Sequence, residues 1–383
     1  MATTLSCEAN GSGHSPTRWD SAGVQITESA QAVWAPGDEW RVAQTPLVDL
    51  AATGSGGQSE FFRVRDAARL SDGRLVVANA GTNEVRLYGT DGGFLTSIGR
   101  TGQGPGEFER LTSVHSYRGD SIAVFDYWAR RLTVLDSAGT VSRTASVEVD
   151  GGALRDIHPL PDGRFLLETA AIAAMTGAKG RMRIPAPVLL LSADGAEEDT
   201  LAVLRGFDTY VFEGGDARPP LPQQLFIATR GGAVYFGEGE EFEFRTLDLR
   251  GALRAIGRLP GYRLAVPQVE RDSIRDAMLQ QELPARLRPI MEAMAEAVPD
   301  RHAAYSGLTV DPTGHVWVQE YTPTVGLSES PRRWLVFDPD GVWLGTVVGP
   351  PNFDLYEVGT DYLLGRARDA LEVETVQVLR LER

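Results

Sequence analysis

Side chains able to hold a ligand or a metal ion recur at one place in a repeating pattern. Asn79, Asp126, Thr169 with its neighbour Glu168, Glu238, Glu320 and Arg366 each end a short apolar run that follows a tight turn. If the runs are parallel copies of one element, their ends gather at one opening. Asp126, Glu238 and Glu320 would then offer carboxylate oxygens to a hard divalent cation such as Ca²⁺ or Mg²⁺. Such an ion polarises a carbonyl or activates water. Tyr321 adds a ring beside Glu320. The candidate ligand-binding residues are therefore Asn79, Asp126, Glu168, Glu238, Glu320, Tyr321 and Arg366, with Asp126, Glu238 and Glu320 as the candidate metal ligands. The competing partners for these acids are arginines: Arg65, Arg110, Arg130, Arg131 and Arg366.

Other chemistry is poorly represented. The five histidines have no metal-ligand spacing. His115 and His158 lie near the ends of the innermost strands of two consecutive repeats, away from the long loops, and read as turn-supporting residues without a ligand role. No Ser-His-Asp arrangement can be assembled from spacing. The single cysteine, Cys7, excludes an intramolecular disulfide and a Cys-rich metal site.

The elements that must position these residues are β-hairpins. Turn, alternating apolar strand and polar stop recur at Ser71–Asn79, Arg118–Asp126, Pro161–Glu168, Gly231–Glu238, Pro312–Glu320 and, in degenerate form, Gly359–Arg366. Five of them are followed by a second hairpin whose turn ends in Gly92, Gly139, Gly195, Gly251 or Gly341, residues free to adopt positive φ. Two hairpins make a four-stranded unit of roughly 40–50 residues, the period of a β-propeller blade. The expectation is an all-β, six-bladed β-propeller over residues 21–383, preceded by a flexible leader over 1–20. The sixth unit runs out of chain at Arg383 and lacks its outer strand. Gly23–Thr27 or Trp40–Ala43 would supply it, pairing an N-terminal strand with Leu371–Leu381. Residues 265–300 break the pattern with apolar residues at helical spacing, which predicts a two-helix insert between blades 4 and 5 whose second helix starts at Pro284.

The other long excursions are 170–185, 206–222 and 321–331. All fall on the face that carries the inter-blade links and the loops between strands 2 and 3. Loops on a rigid scaffold commonly carry function, so this face is the expected working surface.

With 37 basic and 52 acidic residues the net charge is −15, which argues against a nucleic-acid partner. No apolar run approaches the ~20 residues needed to span a bilayer. All basic residues except Lys179 are arginines, a bias read as genomic base composition.

The link Gly99-Arg100-Thr101-Gly102-Gln103-Gly104-Pro105-Gly106-Glu107-Phe108, its weaker copy Gly56–Phe61 and the Ser71-Asp72-Gly73 hairpin resemble the bacterial six-bladed β-propeller proteins related to NHL-repeat proteins. The resemblance spans roughly residues 35–383. It implies a binding or scaffold role in the cell envelope, often with a lipid anchor. Cys7, after small residues and before a Gly/Ser-rich stretch, resembles the end of a lipoprotein signal with its tether and is the candidate lipidation site. The reading is a non-enzymatic propeller that binds a small molecule, glycan or peptide at the loop-bearing face. The alternative is a lactonase-like, metal-dependent hydrolase or lyase built on the acidic ring. A third reading is a partner-binding scaffold that uses an apolar patch on the helical insert.

Overall fold

The structure, a computed structural model, describes residues 15–53, 60–149, 152–172, 177–322 and 330–383. The repeated runs form six sheets. Blade 1 orders its strands Val64–Arg69, Leu75–Asn79, Glu84–Tyr88 and Phe94–Ile98 from the inside out, and blade 2 repeats this from Leu111 to Ser146. Blades 3, 4, 5 and 6 begin their inner strands at Ala153, Phe226, Tyr305 and Phe353.

Each second strand is apolar on both faces because each blade is packed between two others. Leu75 and Val77 enter the core shared with blade 6, while Val76 and Ala78 enter the core shared with blade 2. Six such inter-blade cores run around the ring, one per boundary. Each fully buried side chain of this kind contributes about 1.5–3 kcal/mol. The hairpin glycines behave as their positions require: Gly73 and Gly163 have φ of 89° and 90°, and their amides bond back to the carbonyls of Leu70 and Leu160 at 2.9 Å.

The ring closes through the N-terminal region. Arg41–Asp49 is the fourth strand of blade 6 and pairs antiparallel with Glu374–Glu382, Val48 opposite Val378 and Val42 opposite Leu381. The other candidate, Val24–Glu28, goes elsewhere. It forms a hairpin with Thr17–Ser21 and joins the outer strand of blade 4 in parallel, Ile26 opposite Ile256. Thr17–Ser21 is thus a strand where a flexible leader was expected to residue 20. Between the two, Val33 and Trp34 bond to the carbonyls of Trp343 and Leu344 on blade 5. Trp34 lies over Gly345, where an added Cβ would come within 2.2 Å of the indole. The N-terminal segment therefore straps blades 4, 5 and 6 together.

The excursions are more regular than the sequence suggests. In blade 3 the third and fourth strands continue as a long ribbon, Gly180–Leu191 against Glu197–Phe212, so much of 170–185 and 206–222 is strand rather than loop. The helical insert is Gln268–Leu279 and Arg288–Glu296. The second helix opens at Arg288 with Pro289 in its first turn, while Pro284 sits in the turn before it. Residues 323–329, inside the predicted blade 5 excursion, lie outside the described residues. No helix among the described residues is long and apolar enough to cross a membrane.

Deleting residues 1–50 removes the closing strand and exposes the edge of Glu374–Glu382, so this variant is expected to aggregate or lose its cooperative melt. Deleting only 1–30 removes the blade 4 hairpin and is expected to leave a folded ring with a modestly lower Tm. Calorimetry and size-exclusion chromatography of the two truncations distinguish these outcomes.

Candidate functional site

The six inner strands enclose a central channel of about 860 Å³. A one-residue register shift in five of the six inner pairs sets which side chains face it. In the first three blades the shift falls just before Asp66, Ser113 and Asp156. Two residues further along, the strands of blades 2 and 3 carry His115 and His158. Asp66, Ser113, His115, Asp156 and His158 all line the channel, with Glu357 from blade 6.

The carboxylates of this wall reach amide and hydroxyl groups. Asp66 accepts from the amides of Ala67 at 2.9 Å and of Val114, in the next blade, at 3.1 Å. Asp156 accepts from Ile157 N at 2.8 Å and from Ser113 Oγ of blade 2 at 2.6 Å. Glu357 accepts from Arg69 N of blade 1 at 3.0 Å and from the Tyr362 hydroxyl. The inner strand is the open edge of each sheet, and its amides need acceptors. These acids supply them and link neighbouring blades.

The histidines are only partly engaged, the His115 ring through a hydrogen bond with the Ile157 backbone. Their rings lie 6.1 Å apart. Nε2 of each is shielded from solvent and meets no hydrogen-bond partner. Burial pulls His115 down to about 4, reinforced by His158 and opposed mainly by the Asp156 carboxylate. Burial likewise lowers His158, again against Asp156. Both imidazoles are therefore neutral at pH 7. Burial, with the Asp156 charge adding to it, holds Asp66 well above the usual carboxylate range despite its two amide bonds. Both stand near the ends of inner strands, as expected, and both line the channel.

The sequence-selected residues do not gather into one site. Asp126 is fully buried and accepts from Glu109 N at 2.6 Å, Arg110 N at 3.1 Å, Trp128 N at 3.1 Å and Ala129 N at 3.0 Å. Asn79 does the same work in blade 1, accepting from Phe62 N at 2.9 Å. Both clamp the link entering their own blade. Glu238 accepts from Arg205 N at 2.9 Å and lies 3.7 Å from Arg245. Glu320 is held by Tyr262 at 2.7 Å and Arg333 at 2.5 Å. Arg366 pairs with Asp354 at 2.5 Å and Glu374 at 2.9 Å. Tyr321 stacks on His302 at 5.2 Å and packs with Leu221, Val266 and Ile274 beside the helical insert. Asp126, Glu238 and Glu320 are thus engaged separately. Among the described residues, no group of three or more His, Cys, Asp or Glu side chains is placed to hold a metal ion. Cys7 lies outside the described residues.

Glu168 differs from the rest of that set. It has no hydrogen-bond partner among the described residues, and it lies directly opposite Asp156 in the blade 3 register. Burial raises it to about 7, opposed by Arg155 and reinforced by Asp156. On the loop-bearing face, Trp128 is 64 % exposed beside Arg110, held there by the Asp126 clamp.

Two measurements test this assignment. Asp126→Ala leaves several backbone amides without an acceptor and is expected to destabilise the fold by roughly 2–4 kcal/mol in denaturant melts, with no rescue by divalent cations. For Glu168 the folded value lies above the unfolded one, so the stability that comes from its protonation is present at low pH and lost as pH rises through 7. Glu168→Gln lacks this loss. The variant is expected to gain on the wild type between pH 5 and pH 8 by on the order of 2 kcal/mol.

Residues 63–164 match a family model described as a 6-bladed β-propeller, DUF5128. No curated protein matches the sequence. Among solved structures, a putative exported protein from Bacteroides fragilis aligns at 11 % identity over 93 % of this chain and 99 % of its own, with a TM-score of 0.54. A member of the DUF4221 family from Bacteroides vulgatus aligns at 10 % identity over 90 % of this chain and 96 % of its own, TM-score 0.51. A gluconolactonase from Xanthomonas campestris aligns at 14 % identity over 92 % and 98 %, TM-score 0.47. The architecture of six blades, each of at least four strands, with the family model over residues 63–164, makes the chain a six-bladed β-propeller.

Proposed function

We propose that this chain is an extracytoplasmic propeller that binds a small polar ligand inside its central channel. The observation that carries the reading is that His115 and His158, each with an Nε2 atom that meets no protein partner, both line an 860 Å³ channel. Folded proteins leave few buried polar atoms unsatisfied, because each one costs about 1–3 kcal/mol. Two of them in one channel, beside Asp66 and Asp156, form a surface that a bound polar molecule would complete. The fold positions them on strands rather than loops, which suits a preorganised site. This moves the proposed site from the loop-bearing face to the channel. The extracytoplasmic location is supported by the sequence around Cys7 and by the description of the Bacteroides fragilis propeller as a putative exported protein. Lipidation of Cys7 would tether the domain without inserting it.

A second reading, a hydrolase or lyase, is favoured by Glu168. A carboxyl raised to about 7, with no hydrogen-bond partner among the described residues and opposite Asp156 in the blade 3 register, has the properties of a general acid or base.

The test is NMR of the protein labelled with ¹⁵N-histidine, titrated with pools of small polar metabolites. A binding pool is expected to shift the His115 and His158 resonances together and to raise the Tm. The loop-face variant Trp128→Ala is expected to bind equally well. Ligand binding that leaves both histidines unmoved and is abolished by Trp128→Ala would place the site on the loop-bearing face instead.

A further inference from the structure

We infer that the occupant of the channel is a small hydroxylated oxyanion that enters from the short-turn face, past Arg118 and Arg230. This rests on the reading of the channel as a ligand site and adds the charge, the chemistry and the route.

The route follows from a second cavity of about 410 Å³ lined by Ser116, Tyr117, Arg118, Pro159, Leu160, Pro161, Thr229, Arg230 and Gly231. It shares Ser116, Pro159, Thr229 and Arg230 with the channel. Tyr117, Leu160 and Gly231 border the turns between first and second strands, so this mouth opens opposite the long excursions.

The charge follows from which ionisable groups are already engaged. The acids of the wall, Asp66, Asp156 and Glu357, accept hydrogen bonds from strand amides, Ser113 and Tyr362. Arg69 stacks over Tyr362 at 4.5 Å. Arg65, Arg118 and Arg230 are exposed and have no ion-pair partner among the described residues. The channel and its mouth carry Arg65, Arg69, Arg118 and Arg230 against Asp66, Asp156 and Glu357, and burial favours the neutral form of Asp66 and Glu357, so the balance there is cationic in a protein whose net charge is −15. A local positive field in an acidic protein draws anions to one opening. Guanidinium groups suit carboxylate and phosphate oxygens, which they can bind in a two-pronged geometry.

The hydroxyl groups follow from the deeper wall. Neutral imidazole Nε2 atoms donate or accept according to tautomer, and carboxyl oxygens retain lone pairs after one or two bonds. A hydroxyl both donates and accepts, so it suits a wall of imidazoles and carboxyl groups in either tautomer, whereas a purely apolar body makes no such bonds.

The probes are tartrate and citrate as hydroxycarboxylates, glycerol 3-phosphate as a phosphate, and glycerol and erythritol as neutral controls. Binding to the full chain is followed by calorimetry and by the histidine resonances. At least one anion is expected to bind, to shift His115 and His158, and to weaken as salt is raised. Preference between the carboxylates and the phosphate identifies the oxyanion. Arg118→Glu/Arg230→Glu should weaken binding at least tenfold, while Arg250→Glu, on an exposed turn of the blade 4 rim, should not. Circular dichroism verifies that the variants fold. Three results would overturn the inference: no binding by any anion, erythritol binding as tightly as tartrate, or anion binding unchanged by the double variant. Neutral polyols that shift both histidines would leave the channel as a site and remove only its charge preference. Anion binding that leaves both histidines unmoved would remove the channel reading itself.

Discussion

The structure depends on one pairing, Arg41–Asp49 against Glu374–Glu382. A blade has two apolar faces, and neither can be buried by its own sheet. Each face needs a neighbour, so an open row of blades would leave two cores half-made. The core between blades 6 and 1 shows what closure supplies. Leu50 and Val48, from the closing strand and its continuation, pack there with Val376, Val378, Leu364, Leu75 and Val77. Asp49 reinforces the joint by accepting from Thr375 Oγ1 at 2.6 Å and Gln377 Nε2 at 2.7 Å. The channel exists only because the ring is shut, and the spacing of its wall residues is inherited from that closure.

The same demand for complete pairing explains the polar residues of the wall. Blades meet through side chains, and the amides along the inner strands face other acceptors. Asp66, Asp156 and Glu357 bridge from one blade to the next, so groups that look catalytic in composition also serve as mortar between sheets. Asp126 and Asn79 do comparable work at the other end of the second strands, anchoring the links that lead into their blades. Among the described residues of the wall and its mouth, what remains without a partner after these bonds is a short set: the Nε2 atoms of two imidazoles and the guanidinium groups of Arg65, Arg118 and Arg230. Their convergence on one channel, rather than any metal-ligand geometry, marks it as the candidate site.

The architecture was legible because hairpin turns and two-sided apolar strands are local signals. Asp72-Gly73 and Asp162-Gly163 mark their turns directly, and the missing outer strand of the last blade pointed to an N-terminal replacement. The choice between Val24–Glu28 and Arg41–Asp49 was not legible, because both are short alternating strands and only the packing of Trp34 across blade 5 decides where each lands. How the strand-ending acids are engaged was hidden for a related reason. Strand-ending acids were visible, but the backbone amides that claim Asp126 belong to the link before the blade and to the loop after it. The wall residues depend on a one-residue register shift in the inner pairs, which leaves no mark in the sequence of a six-residue strand. His115 and His158 carried one faint signal: they occupy the same position in two consecutive repeats.

Closure by the N-terminal segment also fixes an order of events in time. Asp49 and Gln377 are 328 residues apart in sequence, so the clasp cannot fasten until almost the whole chain has been made. Contacts this distant slow folding, because loop entropy must be lost before they form. Until then the N-terminal strand and the last blade each present an unpaired edge, the kind of surface that invites association with other chains. A nascent chain therefore keeps Arg41–Asp49 unfastened while blades form behind it, even after Val24–Glu28 has found blade 4. The ring is a lock that only a finished chain can turn.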